Sequence, residues 1–156
     1  MSKYLPIYLN DHLTASTFAL EVARRAANAN RDSELGDFLA GLRGEITADR
    51  QALEEIMSAL GISRDQLKRP VGWIAEKVSR LKLNGELLRR SPLSQTVELE
   101  LLSLGIEGKR LMWLALAETH GDRIGADRLA TLAARAEEQR AGVERHRLAA
   151  AAKTLS

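Results

Sequence analysis

Residues 33–61 read SELGDFLAGLRGEITADRQALEEIMSALG. At about 100° per residue, a helix through this stretch places Leu35, Phe38, Leu39, Leu42, Ile46, Leu53, Ile56, Met57 and Leu60 on one face. Asp32 or Ser33 can cap its start, Glu34 and Asp37 suit its N-terminal turn, and Gly61 ends it. The spacing therefore predicts an amphipathic helix over 33–60. One charged residue, Asp49, sits inside the apolar arc between Leu42, Ile46, Leu53 and Ile56. Glu45, its i,i+4 neighbour, lies nearer the edge. A buried charge must be paired, ligated or neutralised, so the helix that sets the fold also marks where chemistry could lie.

Working outward, residues 5–28 form a second long helix. Pro6 suits its first turn, and Leu5, Tyr8, Leu9, Leu13, Ala19, Leu20, Ala23 and Ala27 share a face. The turn between the two helices is short, which makes them antiparallel neighbours. Beyond Gly61 the pattern changes. Pro70 breaks a short helical turn, residues 71–81 can form a short helix, and Asn84-Gly85 is a turn. A third long helix runs over 92–120 with Pro92 in its first turn and Gly121 as its stop, and a fourth over 127–152. The expected architecture is all-α: a four-helix bundle of one domain, 1–156, built from two antiparallel hairpins. A crossover at 61–91 joins them. Helices of about 25 residues are rods of roughly 38 Å, a length the crossover can span.

Composition narrows the function classes. The chain has 156 residues, 45% of them hydrophobic and 28% charged, with a net charge of +2. These values fit a globular protein with a real core and dictate no partner by global charge. With no cysteine, disulfides, cysteine-based zinc sites, iron–sulfur clusters and thiol nucleophiles are excluded. No run of about 18 apolar residues suggests a transmembrane helix. The N-terminal MSKYLPIYLNDHL has no signal-peptide core. A cytoplasmic protein is the expectation. No phosphate loop, Ser-His-Asp set or dinucleotide fingerprint is present.

Polar groups interrupt the inward faces of all four helices. His12 and Ser16 sit mid-stripe on the first. Glu45 and Asp49 lie on the second. On the third, Glu100 and Glu107 flank a stripe of Val97, Leu101, Leu104, Gly108, Leu111 and Ala115. On the fourth, Arg140 falls among Leu129, Leu132, Ala136 and Val143, and Arg147 continues that face. Carboxylates near a bundle axis need positive charge. One source is a metal ion held by His12, Glu45, Asp49 and Glu107, in which case iron or manganese is the cofactor. The other is an internal charge network of Glu45, Asp49, Glu107 and Arg140, with no cofactor. The second is favoured, because arginine stays protonated, offers five donors to carboxylates and would repel a metal beside it.

This layout resembles the ferritin-like superfamily, especially its small stress-associated bacterial members. The likeness covers nearly the whole chain and rests on helix order and the single long crossover. The stretches YLNDHL (8–13) and RLKLNGELLRRSPLS (80–94) are also similar to an actinobacterial-type group, a likeness that implies no activity. The superfamily resemblance implies a di-iron site with one Glu from each of two helices and Glu-x-x-His from each of the other two. Here Glu45 matches a motif Glu, but Ala48 stands in the His position and Asp49 follows it. In the fourth helix Glu137 matches the Glu and Arg140 takes the His position. Glu100 or Glu107 is the candidate lone Glu of the third helix, and His12 is the nearest candidate on the first. The residues three before His12, His120 and His146 are Leu9, Ala117 and Val143, so no Glu-x-x-His occurs. The expected function is a non-catalytic structural or interaction module. The alternative is an iron or manganese oxidase or storage protein with an atypical carboxylate-rich site.

Two surfaces suggest partners. The third helix carries a second apolar side, Leu99, Leu102, Ile106, Trp113 and Ala117, which a bundle helix does not need. The crossover with Trp73 and Ile74 could cover it, or a second subunit could, and a homodimer is the expectation. Residues 61–92 hold eight basic residues (Arg64, Lys68, Arg69, Lys77, Arg80, Lys82, Arg89, Arg90) and three acidic ones. That charge allows a third reading, a nucleic-acid or acidic-surface binder. Trp73 is the crossover's one aromatic residue, so base stacking has little support and nucleic acid is not the expected partner.

Overall fold

A computed structural model describes residues 2–64 and 92–156. Trp73 and nearly all of the basic crossover lie outside them. The described residues form four helices and no strand: α1 (Leu5–Ala29), α2 (Glu34–Ala59), α3 (Pro92–Ile124) and α4 (Ala126–Leu155). None is long and apolar enough to cross a membrane.

Local chemistry sets the helix ends. Asn30 closes α1, its side-chain amide donating to the Ala26 carbonyl at 2.8 Å. Ser33 caps α2: its hydroxyl accepts from the Gly36 N–H at 3.2 Å and donates to the Asn30 carbonyl at 2.6 Å. A Cβ at Gly36 would lie 2.1 Å from the Asn30 oxygen, so this turn needs glycine. At the other end of α2, Gly61 adopts φ +72°. The Gly61 N–H bonds the Ser58 carbonyl and the Ile62 N–H bonds the Met57 carbonyl, the Schellman closure, with Ile62 buried behind it. The long helical run of α3 breaks at His120, whose backbone is not helical (φ −140°), and a short helical turn follows to Ile124. The break falls where the sequence predicts it, beside Gly121, and Gly125, at φ +104°, then separates the short turn that follows from α4.

Side-chain pairs give the helix directions. Arg50 of α2 reaches Leu13 of α1. Along α2 and α4, Glu55 pairs with Arg128, Asp49 with Arg135, and Phe38 stacks near His146. Along α3 and α4, Glu107 pairs with Arg140, Glu100 with Arg147, and Thr96 meets Thr154. Each of these neighbouring pairs is antiparallel, so α2 and α3 run parallel. α1 packs on α2 and α3, and α4 packs closely on α3 and more sparsely on α2. The chain thus leaves α2 at one end of the bundle and enters α3 at the other, a separation of about 39 Å for the 26 residues of α2.

The core takes Leu9 and Leu13 from α1, Leu39, Leu42, Ile46, Leu53, Ile56 and Met57 from α2, and Leu129, Leu132, Ala136 and Val143 from α4. The phase of α3 differs from the expectation. Leu99, Leu102, Ile106 and Trp113, read above as an outer surface, are at most 2% exposed. The stripe read as inward is outside: Leu104 is 68% and Leu111 is 52% exposed. Apolar residues surround α3, so periodicity alone does not choose a side. The outer stripe includes Gly108 and Ala115, whereas the inner one carries Trp113 and Met112. Burial scales with apolar area, so the larger side chains turn inward.

Candidate functional site

The bundle centre is built on Asp49, which is 2% exposed. Its phase on α2 leaves it no route to solvent, so its charge is met by side chains of α3 and α4. Lys109 Nζ donates to one carboxylate oxygen, and Gln139 Nε2 donates to the same oxygen at 3.0 Å. Arg135 Nη2 donates to the other. Lys109 also donates to Gln139 Oε1, which closes a ring of three side chains. Gln139 is buried and satisfies both its neighbours, accepting from the ammonium while donating to the carboxylate.

The site's electrostatics follow from burial. Desolvation pushes the Lys109 ammonium pKa below the usual lysine value, and the neighbouring Arg135 adds to this. Asp49 opposes the shift by Coulomb attraction and hydrogen bonding. His12 faces the same region from α1. Burial lowers its pKa, with Asp11 opposing, and its ring stands edge-on to Tyr8 at 4.7 Å. Between α1, α2 and α3 lies a cavity of about 50 Å³, lined by His12, Ser16, Asp49, Arg50, Lys109 and Trp113 together with apolar residues that include Ile46, Leu53 and Met112. The Arg50 head is held on its α1 side, where Nη1 donates to the Leu13 carbonyl and to the Ser16 and Thr17 hydroxyls at 2.7–2.8 Å.

The other residues expected at this site are elsewhere. Glu45 is exposed and lines an open groove between α2 and α4 with Asp37, Glu138 and Arg145. Glu107 and Arg140 do form an ion pair, at 3.4 Å, but on the outer seam of α3 and α4. There Arg110 holds Glu107 at 2.8 Å and Arg140 holds Glu137 at 2.7 Å. Arg110 is the first cause of the lowered Glu107 pKa. The single network expected from the sequence is therefore two: an inner one at Asp49 and an outer one at Glu107. The counter-charges of Asp49 are Lys109 and Arg135, not Arg140. Among the described residues, no three His, Asp or Glu side chains converge in a way that could hold a metal ion.

Lys109 and Arg135 were missed by the sequence reading. The available signal was spacing: Leu102, Ile106, Lys109 and Trp113 fall at i, i+4, i+7 and i+11, one face of α3. Once Trp113 is placed inward, Lys109 follows it. Arg135 and Gln139 are likewise one turn apart beside Leu132 and Ala136. Compared with known proteins, the chain matches no family model, no curated protein and no solved structure.

Proposed function

We propose that this chain is a ferritin-like bundle that works without a di-iron centre, as a structural and interaction module that pairs with a second copy of itself. The observation that carries this reading is the filling of the bundle centre. Asp49, the one fully buried carboxylate among the candidates, is already met by Lys109, Arg135 and Gln139. A divalent cation placed there would face two fixed positive charges, each repelling it by several kcal/mol at contact distances. The parallel course of α2 and α3, which requires one long return of the chain, supports the ferritin-like type.

The pairing surface in this reading is the outer side of α3. Val97, Leu101, Leu104, Gly108 and Leu111 repeat at alternating steps of four and three, the spacing of a helix–helix seam. Gly108 has open space around a built Cβ, so another backbone can come close. Exposed leucines in a row at this spacing mark an interaction face more than a solvated one.

Two measurements test the proposal. Metal analysis after incubation with iron and manganese should find no stoichiometric metal; about one or two ions per chain, lost in His12→Ala, would establish the oxidase or storage reading instead. Sedimentation should show a dimer for the natural chain and a monomer for the Leu104→Glu, Leu111→Glu double variant. A monomeric natural chain would remove the pairing.

A further inference from the structure

The outer stripe of α3 has a symmetry that self-pairing alone does not require. Val97, Leu101, Leu104, Gly108, Leu111 and Ala115 are spaced four, three, four, three and four residues apart, so the series reads the same from either end, with its midpoint level with Ile106. The side chains break that evenness. Leu104 mirrors Gly108 across the midpoint, and Val97 mirrors Ala115. Leu104 and Leu111 stand exposed, while a Cβ built at Gly105 or Gly108 meets nothing within 4 Å. Protruding side chains and open space thus occupy mirrored positions. The stripe itself holds no charge, and Glu100 and Glu107 border it on the α4 side. An apolar centre with a charged rim is the anatomy of a protein contact.

Orientation decides whether those positions match. In a parallel pair each seam residue faces its own copy. Gly108 then meets Gly108 and leaves a void, while Leu104 meets Leu104 and holds the helices apart. Facing positions pack best when large is set against small. An antiparallel pair turned about the midpoint does this: Leu104 lies against the partner's Gly108, and Val97 against the partner's Ala115. Leu101 meets the partner's Leu111, and each contact occurs twice, as a two-fold requires. Gly105, exposed beside the axis on the α1 side, lets the two backbones close in. Glu107 comes near its own copy at the axis, but Arg110 and Arg140 of each chain already meet that carboxylate. We infer that two copies pair α3 against α3 in antiparallel, about a two-fold axis level with Ile106, with Leu104 of each seated on Gly108 of the other. This rests on the self-pairing reading above and adds its orientation and register. Gly105 also lines the cavity between α1, α2 and α3, so in the pair the partner's helix covers that edge of it.

The chain has no cysteine, so introduced thiols report the register. A disulfide needs Cα atoms within about 7 Å of each other. Leu101→Cys and Leu111→Cys, each alone, place like thiols about 15 Å out of step along the helix axis and should stay unlinked under mild oxidation. Mixed in equal amounts and left to exchange, the two variants should give a covalent dimer at least tenfold more abundant than either gives alone. Gly105→Cys, beside the axis, should link to its own copy, and it decides the matter if either leucine variant is monomeric. Linking of Leu101→Cys or Leu111→Cys by itself would overturn the inference in favour of a parallel pair. Sedimentation of the natural chain separates the two levels. A dimer that gives neither the mixed link nor the Gly105→Cys link overturns the register alone, and a monomer overturns register and self-pairing together.

Discussion

Asp49 carries one negative charge against two cations, and that imbalance makes its neighbours unequal. Replacing it with alanine leaves the desolvated Lys109 ammonium without its carboxylate, beside a partly exposed Arg135. Breaking a buried pair from one side costs about 3–5 kcal/mol, so Asp49→Ala should lose stability of that order in urea unfolding. Lys109→Met should cost less, because Arg135 still meets the carboxylate. A larger loss for Lys109→Met would contradict the assignment. His12 supplies a pH dependence. Its folded pKa lies below the ordinary 6.5, so the unfolded chain takes up the proton first as pH falls. The contribution of neutral His12 to stability is complete above about 6.5 and is lost as pH falls toward the lower folded value. The melting temperature should drop between pH 7.5 and pH 5.5, and His12→Gln should flatten that drop. Lys109 has the same sign at alkaline pH: its folded pKa is depressed, so its contribution improves stability as pH rises toward its unfolded value.

At the scale of the element, helix boundaries reflect chemistry that acts within a few residues, and so they are readable in advance. Ser33, Gly61 and Pro6 each do what their residue type favours. Contacts between elements are not readable in this way. Gly142 lies where α4 meets α2, and a Cβ there would come within 2.7 Å of the Phe38 ring. Gly142→Ala should therefore cost about 1–3 kcal/mol as an overpacked contact, despite the better helix propensity of alanine. Phe38→Leu in the same chain should restore part of the loss, which thermal unfolding of the double variant would measure. α3 carries the main contrast. Leu102→Ala should cost about 2–5 kcal/mol as a core truncation, while Leu104→Ala, compared at concentrations where the chain is monomeric, should stay within about 0.5 kcal/mol as a surface change. Equal costs would mean that α3 is rotated from the phase described.

For the whole molecule, four long helices, their short turns and the long break between two pairs could be read from residue order alone. Each depends on local propensity or on a clear apolar stripe. Asp49 was legible for the same reason, as a charge inside a stripe that has only one reasonable phase. The partners of Asp49 were not. α3 is apolar on nearly every side, and two of its faces satisfy the same periodicity. The choice between them is made by how much area Trp113 and Met112 bury in the bundle core, a quantity that exists only once the helices are assembled. That choice turned Lys109 inward, moved Glu107 to the seam with α4, and left Leu104 and Leu111 on the surface. The sequence by itself determined the helices and the need to neutralise a buried carboxylate. Only the tertiary structure decided which cations do so and which face remains for a partner, because helix rotation is set by packing volume between elements rather than by order within one.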